Sequence, residues 1–199
     1  MPDEELMVST GTLLASAPNM LDPNFMHTVS VICDHTDAGA YGMVINKRSS
    51  LTIDRLLPDH PILGRLALPV NWGGPVENDT LQVLHRFPDL IPGGMELASG
   101  LFLGGDLDAV ADVVGEEASP WMKQGVRFIL GCAGWGGGQL ELELAGGSWL
   151  PLACNADYIF TELGREPARG QDRVWKMAMR SLGGDGQELA AMPPDIGWN

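Results

Sequence analysis

The residues whose types and spacing are best suited to chemistry are Gly131, Gly134, Gly136, Gly137 and Gly138, with Trp135 among them and Gln139 behind them. A strand, a glycine turn and a helix in that order can hold an anion, because the first N–H groups of a helix point outward without backbone partners. Gly131-x-x-Gly134-x-Gly136 leads into Gln139, but no Gly-Lys-Ser/Thr follows, so the segment is not a P-loop. The dinucleotide fingerprint fails too, since no acidic residue follows on a second strand at about twenty residues. Two further glycine-bearing turns, Gly39 to Gly42 and Gly73-Gly74-Pro75, are expected to meet the first at one end of a sheet. The candidate ligand cleft is then lined by Asn46, Gly73, Gly74, Gly134, Trp135, Gly136 and Gln139, with Trp135 partly accessible. The competing explanation is that these glycines only let chains approach closely and let Trp135 pack.

Other constellations are weaker. Asp34, His35 and Asp37 carry metal-ligand atoms, but they flank a turn, where such residues serve the backbone and solvent. No metal site is expected. Ser16, His27 and Asp22 lie near one another in sequence, yet GxSxG is absent and nothing orients a base, so no catalytic residue is assigned. Cys33, Cys132 and Cys154 sit in apolar surroundings without CxxC spacing and read as buried, reduced thiols. No cofactor is implied. The last helix, expected from about Gln171 to Leu182, carries Arg173, Lys176 and Arg180 within roughly 40° of one another. Val174, Trp175, Ala178 and Leu182 fall opposite. The basic stripe is either a solvated helix face or a site for a small anion or acidic partner.

These residues need elements to position them. Val126 to Ala133 is a near-continuous apolar run and reads as a central strand buried on both faces, as does Trp149 to Leu152. Between them, Leu140, Leu142 and Leu144 alternate with Glu141 and Glu143 at a strand period. The Leu, Glu and Ala content, without β-branching, favours a short helix closed by Gly146-Gly147. Earlier strands are expected at Gly11–Ala17, Thr28–Cys33, Tyr41–Asn46, Val70–Trp72 and Thr80–His85, with one more between Met95 and Leu103. Asp37-Ala38-Gly39 makes the second and third a hairpin. Thr52 opens a short helix to Leu57, and Asp106 caps an amphipathic one that Gly115 closes. Asn155 or Asp157 caps a turn carrying Tyr158, Ile159 and Phe160.

The chain has 199 residues, enough for one domain, expected over residues 1–184 with 185–199 as a flexible tail. Its net charge of −14 opposes attraction to nucleic acid or anionic lipid, so direct nucleic-acid binding is not expected. No apolar run approaches the roughly 18 residues of a membrane span. The opening MPDEELM lacks the regions of a signal peptide, and a cytosolic protein is expected.

Five segments together resemble the YqgE/AlgH family of bacterial proteins. They are LLASAPNMLDPNF (Leu13 to Phe25), HTVSVICDH (His27 to His35), GAYGMVINK (Gly39 to Lys47), WGGPVENDTLQVLH (Trp72 to His85) and GCAGWGGGQLELEL (Gly131 to Leu144), with Ser148-Trp149-Leu150 after them. Departures fall at Leu101 to Gly105 and at Cys132. The resemblance implies an α+β domain whose mixed sheet curls into a partial barrel with helices packed around it. It implies no settled reaction, only a label of transcriptional regulator. The functional expectation is a non-catalytic bacterial protein that binds a small ligand or a protein partner, any role in transcription being indirect. The alternatives are an enzyme with its site at the glycine turns and a regulator that contacts DNA directly.

Overall fold

The computed structural model describes residues 7–164, 166–183 and 188. The first half contains β1 (Leu13–Ser16), β2 (Val29–Thr36), β3 (Gly39–Val44), β4 (Arg48–Thr52), α1 (Ile53–Leu56), β5 (Pro69–Trp72), β6 (Val76–His85), β7 (Gly94–Ala98) and β8 (Leu101–Gly104). The second contains α2 (Leu107–Val114), α3 (Pro120–Gln124), β9 (Val126–Gly136), α4 (Gln139–Ala145), β10 (Trp149–Leu152), α5 (Ala156–Phe160) and α6 (Pro167–Ser181). Caps set several boundaries. Asp106 accepts the Ala109 N–H at 2.8 Å and opens α2, and Ser119 accepts the Met122 N–H at 3.3 Å and opens α3 ahead of Pro120.

β9 organises the sheet because it changes partners along its length. Its first half pairs in parallel with β5, Val70 opposite Phe128 and Trp72 opposite Leu130. Its second half pairs antiparallel with β3, from Gly42 opposite Ala133 to Gly39 opposite Gly136. The other edge carries β6 from Val126 to Cys132, with a register shift between Val76 and Leu81. Gly131 stands at the exchange point with φ +78°, and a Cβ there would lie 2.6 Å from the Gly74 carbonyl oxygen. Only glycine suits both conditions. The resulting order is β10-β1-β2-β3-β9-β6-β8-β7, with β4 attached through β5, and the sheet curls into a half-barrel within a single α+β domain.

Side-chain alternation divides the core. One face of β1, β2 and β3 presents Leu13, Val31 and Met43 to α6, where Trp175 is fully buried and donates its indole N–H to the Ser16 carbonyl at 2.8 Å. The other face presents Leu14, Ile32 and Ala40 to Trp135, Trp149 and the Leu140 of α4. A further cluster, Val83, Phe87, Phe128, Val110 and Val114, lies under α2.

Four expectations need correction. β10 is an edge strand, bonded to β1 alone, and not a central one. Its apolar residues are buried by packing, and Pro151, which has no N–H to donate, suits an edge. The single strand expected between Met95 and Leu103 is the β7–β8 hairpin, turned at Gly100 with φ +75°. α6 begins four residues before the expected Gln171, at Pro167, a residue favoured in a first helical turn. Leu182, placed on the buried face of that helix, is 38% exposed, and Met179 is buried instead. The expected tail at residues 185–199 falls outside the described residues, Glu188 excepted.

Candidate functional site

Two of the three expected glycine turns are strand, Gly39 to Gly42 within β3 and Gly131 to Gly136 within β9, because the two segments pair with each other. Only Gly73-Gly74 and Gly137-Gly138 lie outside the ladder. A Cβ at Gly73 would lie 2.2 Å from the Gly131 carbonyl oxygen, and one at Gly74 would lie 2.0 Å from that of Cys132. Trp135, expected to be partly accessible, is buried at 6% exposure and donates its indole N–H to Glu143 Oε2 at 2.9 Å. Packing explains it. Gln139 closes its own turn, accepting the Gly136 N–H at 3.0 Å and donating to Glu143 Oε1 at 2.8 Å. Gly134 and Gly136 are exposed. Asn46 is fully buried: its amide donates to the carbonyls of His27 and Gln171, and its oxygen accepts the Val29 N–H. It thus ties β2 to α6, whereas Trp135 lies under α4 on the opposite face of the sheet. The structure does not gather the seven residues into one cleft.

The α6 stripe exists as a surface. Arg173 and Arg180 are exposed. Lys176, between them, is bonded to Asp172 at 2.7 Å, and Arg173 donates to the Glu162 carbonyl. Asp172 also faces His27 Nδ1 at 3.2 Å, and the His27 ring stacks on Trp175 with centroids 4.2 Å apart. Elsewhere, both ring nitrogens of His35 face oxygens, Val8 O at 3.1 Å and Glu141 Oε1 at 2.7 Å. Burial pushes the Cys33 thiol up to about 12 and raises Cys132 as well, so neither is a thiolate nucleophile. Cys154 is only partly buried, against expectation.

A different place has the character of a site. Between β4, β5, α3 and the α5–α6 connection lies a cavity of about 490 Å³. Its floor is the outer side of the cluster under α2, including Val114, Val126 and Phe128. Arg48, Lys123 and Arg127 surround it, with one carboxylate, Glu162. In a chain of net charge −14 this is a local inversion of sign. Arg127 projects from β9 and donates to the carbonyls of Gln124 and Val126, at 3.0 and 2.9 Å, and to that of Phe160. Burial pushes its guanidinium down to about 10, with Arg48 and Arg86 adding repulsion and Glu162 opposing. Arg48 is half-buried and also held below its usual range by desolvation, opposed by Glu162. Among the described residues Arg48 has neither an ion pair nor a side-chain hydrogen bond.

A smaller cavity of about 250 Å³ adjoins it across Gln124 and Thr161, beside Arg86 and Trp121. Arg86 lies 4.4 Å from the Phe160 ring centroid and reaches Asp157 at 3.2 Å. The arrangement can desolvate and hold an anion. Sequence reasoning missed it because its cations are scattered at positions 48, 123 and 127. The one available signal was Arg127, a charge inside the apolar run Val126 to Leu130.

The fold and the cavity describe an α+β half-barrel with a basic pocket at one side. The AlgH-like family pattern matches residues 13–187, and the chain belongs to that family. A UPF0301 protein of Chlorobaculum tepidum is 34% identical over 199 residues, with both chains covered completely. Another from Vibrio vulnificus is 37% identical, covering 76% of this chain and 83% of its own. The solution structure of the AlgH protein from Pseudomonas aeruginosa has 28% identity and a TM-score of 0.64, covering 96% of this chain and 95% of that one. A crystal structure of a Corynebacterium diphtheriae protein shares the fold at 20% identity, with a TM-score of 0.74 and 95% of each chain covered. Among the described residues no helix is long and apolar enough to cross a membrane.

Proposed function

We propose that the protein is a non-catalytic, cytosolic binding protein whose small anionic ligand occupies the cavity ringed by Arg48, Lys123 and Arg127. The observation that carries this reading is Arg48, a half-buried guanidinium without an ion pair among the described residues, at the rim of a cavity with two more cations. Removing a charge from water costs free energy unless a counter-charge and hydrogen bonds offset it, and a bound carboxylate or phosphate supplies both. The α6 stripe of Arg173, Lys176 and Arg180 is the weaker candidate, because Asp172 already neutralises its central lysine. The glycine turns are weaker still, since their polar groups are bonded internally. Any influence on transcription would then pass through ligand or partner and not through contact with DNA, which the net charge of −14 opposes.

The test is to denature protein purified from cells and identify the released metabolites by mass spectrometry, for the native sequence and for Arg48→Gln. Anions carried by the native protein and lost from the variant are expected. Identical profiles would overturn the reading.

A further inference from the structure

Resting on that reading, we infer that the ligand is an amphipathic anion, one anionic head on an apolar body, and not a nucleotide, a sugar phosphate or free phosphate. The cavity is lined by two kinds of group. Among the described residues Arg48, from β4, is the donor left free for a carboxylate or phosphate head, and Arg127 of β9 and Lys123 of α3, which already donate to carbonyls, add positive charge beside it. Much of the remaining lining is apolar. Val114, Val126, Phe128 and Leu163 form its almost fully buried base, and Leu68, Pro69, Ala118 and Pro120 present the accessible apolar surface.

The neutral polar side chains decide against a sugar or base. Asn71 donates to the Ile45 carbonyl at 2.8 Å, Thr161 to the Asp157 carbonyl at 2.6 Å and Gln124 to Glu162 at 3.4 Å. Each is thus already engaged with the protein. Recognition of a ribose or a base edge requires placed donors and acceptors, and a site without them discriminates little between such ligands. An apolar body needs none. The volume of about 490 Å³ falls within the range of roughly 300–1,000 Å³ typical of small-molecule pockets.

The prediction has a quantitative signature. If the body lies on the apolar lining, each methylene added to a linear carboxylate tightens binding by up to about fourfold until the cavity is filled. Isothermal titration of the full chain with butyrate, hexanoate, octanoate and decanoate, below their micelle concentrations, measures this directly. 1-Octanol serves as the uncharged comparison and inorganic phosphate as the bare head. Saturable one-to-one binding that strengthens with chain length is expected, with Arg48→Gln weakening octanoate at least about tenfold and leaving 1-octanol unchanged. Phosphate binding as tightly as octanoate, or no dependence on chain length, would overturn the amphipathic assignment and leave the anion site standing. Octanoate binding equally well to Arg48→Gln would overturn the placement of the head. Failure of both octanoate and phosphate to bind would remove the anion site itself, and this inference with it.

Discussion

Trp135 and Trp149 meet edge to face, 5.9 Å between ring centroids, and both indole N–H groups end on the same carboxylate oxygen of Glu143. The distances are 2.9 and 2.7 Å. Glu143 thereby joins the end of β9 to the edge strand β10 through α4, three elements that share few backbone bonds. Glu143→Leu leaves two buried donors unpaired, each costing about 1–3 kcal/mol, so a loss of about 2–6 kcal/mol is expected. Glu143→Gln keeps one acceptor oxygen and should lose about half as much. Urea denaturation followed by tryptophan fluorescence measures both. Equal stability of Glu143→Leu and the native protein would show that the two bonds contribute nothing net.

This relationship also shows how far the sequence could be read. The helix over Leu140, Leu142 and Leu144 is a local matter of propensity and capping and is present. Gly131 to Gly136, read as a turn, instead continues β9, because β3 supplies a partner that only the fold brings there, and only Gly137-Gly138 turn the chain. The hairpin at Asp37-Ala38-Gly39 and the Asp106 cap are equally local. That Trp135 faces inward depends on Trp149 and Glu143, which only the fold brings near. β4 was invisible because Arg48-Ser49-Ser50-Leu51-Thr52 has no apolar pattern and exists through its pairing with β5. The basic cavity was invisible for a related reason. Arg48 and Arg127 reach one rim only because β5 bridges β4 and β9.

Stability should fall in mild acid. His85 is fully buried, its Nδ1 accepts the Phe87 N–H at 3.2 Å, and burial depresses its pKa below the ordinary 6.5. His27 is depressed too, chiefly by burial, with Asp172 opposing. The unfolded chain binds these protons near 6.5 and the folded chain only at lower pH. Their contribution is therefore full above about pH 6.5 and is lost as pH falls through the lowered folded values. Urea midpoints at about pH 7.5 and about pH 5.5 test this, and His85→Gln should lose less between the two conditions. An unchanged slope in the variant would assign the acid sensitivity elsewhere.

Neighbouring glycines should differ sharply. Gly131→Ala forces a side chain to φ +78° with its Cβ 2.6 Å from a carbonyl oxygen, and a cost of at least about 1–3 kcal/mol is expected. Gly134→Ala meets nothing within 4 Å and should stay within about 0.5 kcal/mol of the native protein. Thermal melts of the two variants separate a glycine the sheet exchange requires from one it merely tolerates. Comparable losses would mean that the exchange of partners at Gly131 does not require glycine.

The two cavity arginines should part in the same way, and the contrast bears on function. Arg127 holds three carbonyls, those of Gln124, Val126 and Phe160, and so ties α3 and α5 to β9. Arg127→Gln leaves part-buried acceptors unpaired and should destabilise by about 2–4 kcal/mol. Arg48 makes no such bond among the described residues while being desolvated on the cavity rim. Arg48→Gln should therefore leave the melting temperature of ligand-free protein unchanged or slightly raised. A residue that costs stability without ligand and contributes when an anion arrives is the pattern expected of a binding group. The check is differential scanning fluorimetry with and without octanoate. The native protein should gain melting temperature on addition, and Arg48→Gln should start as high and gain little. A large loss of ligand-free stability in Arg48→Gln would make Arg48 a structural residue and remove the observation on which the binding proposal stands.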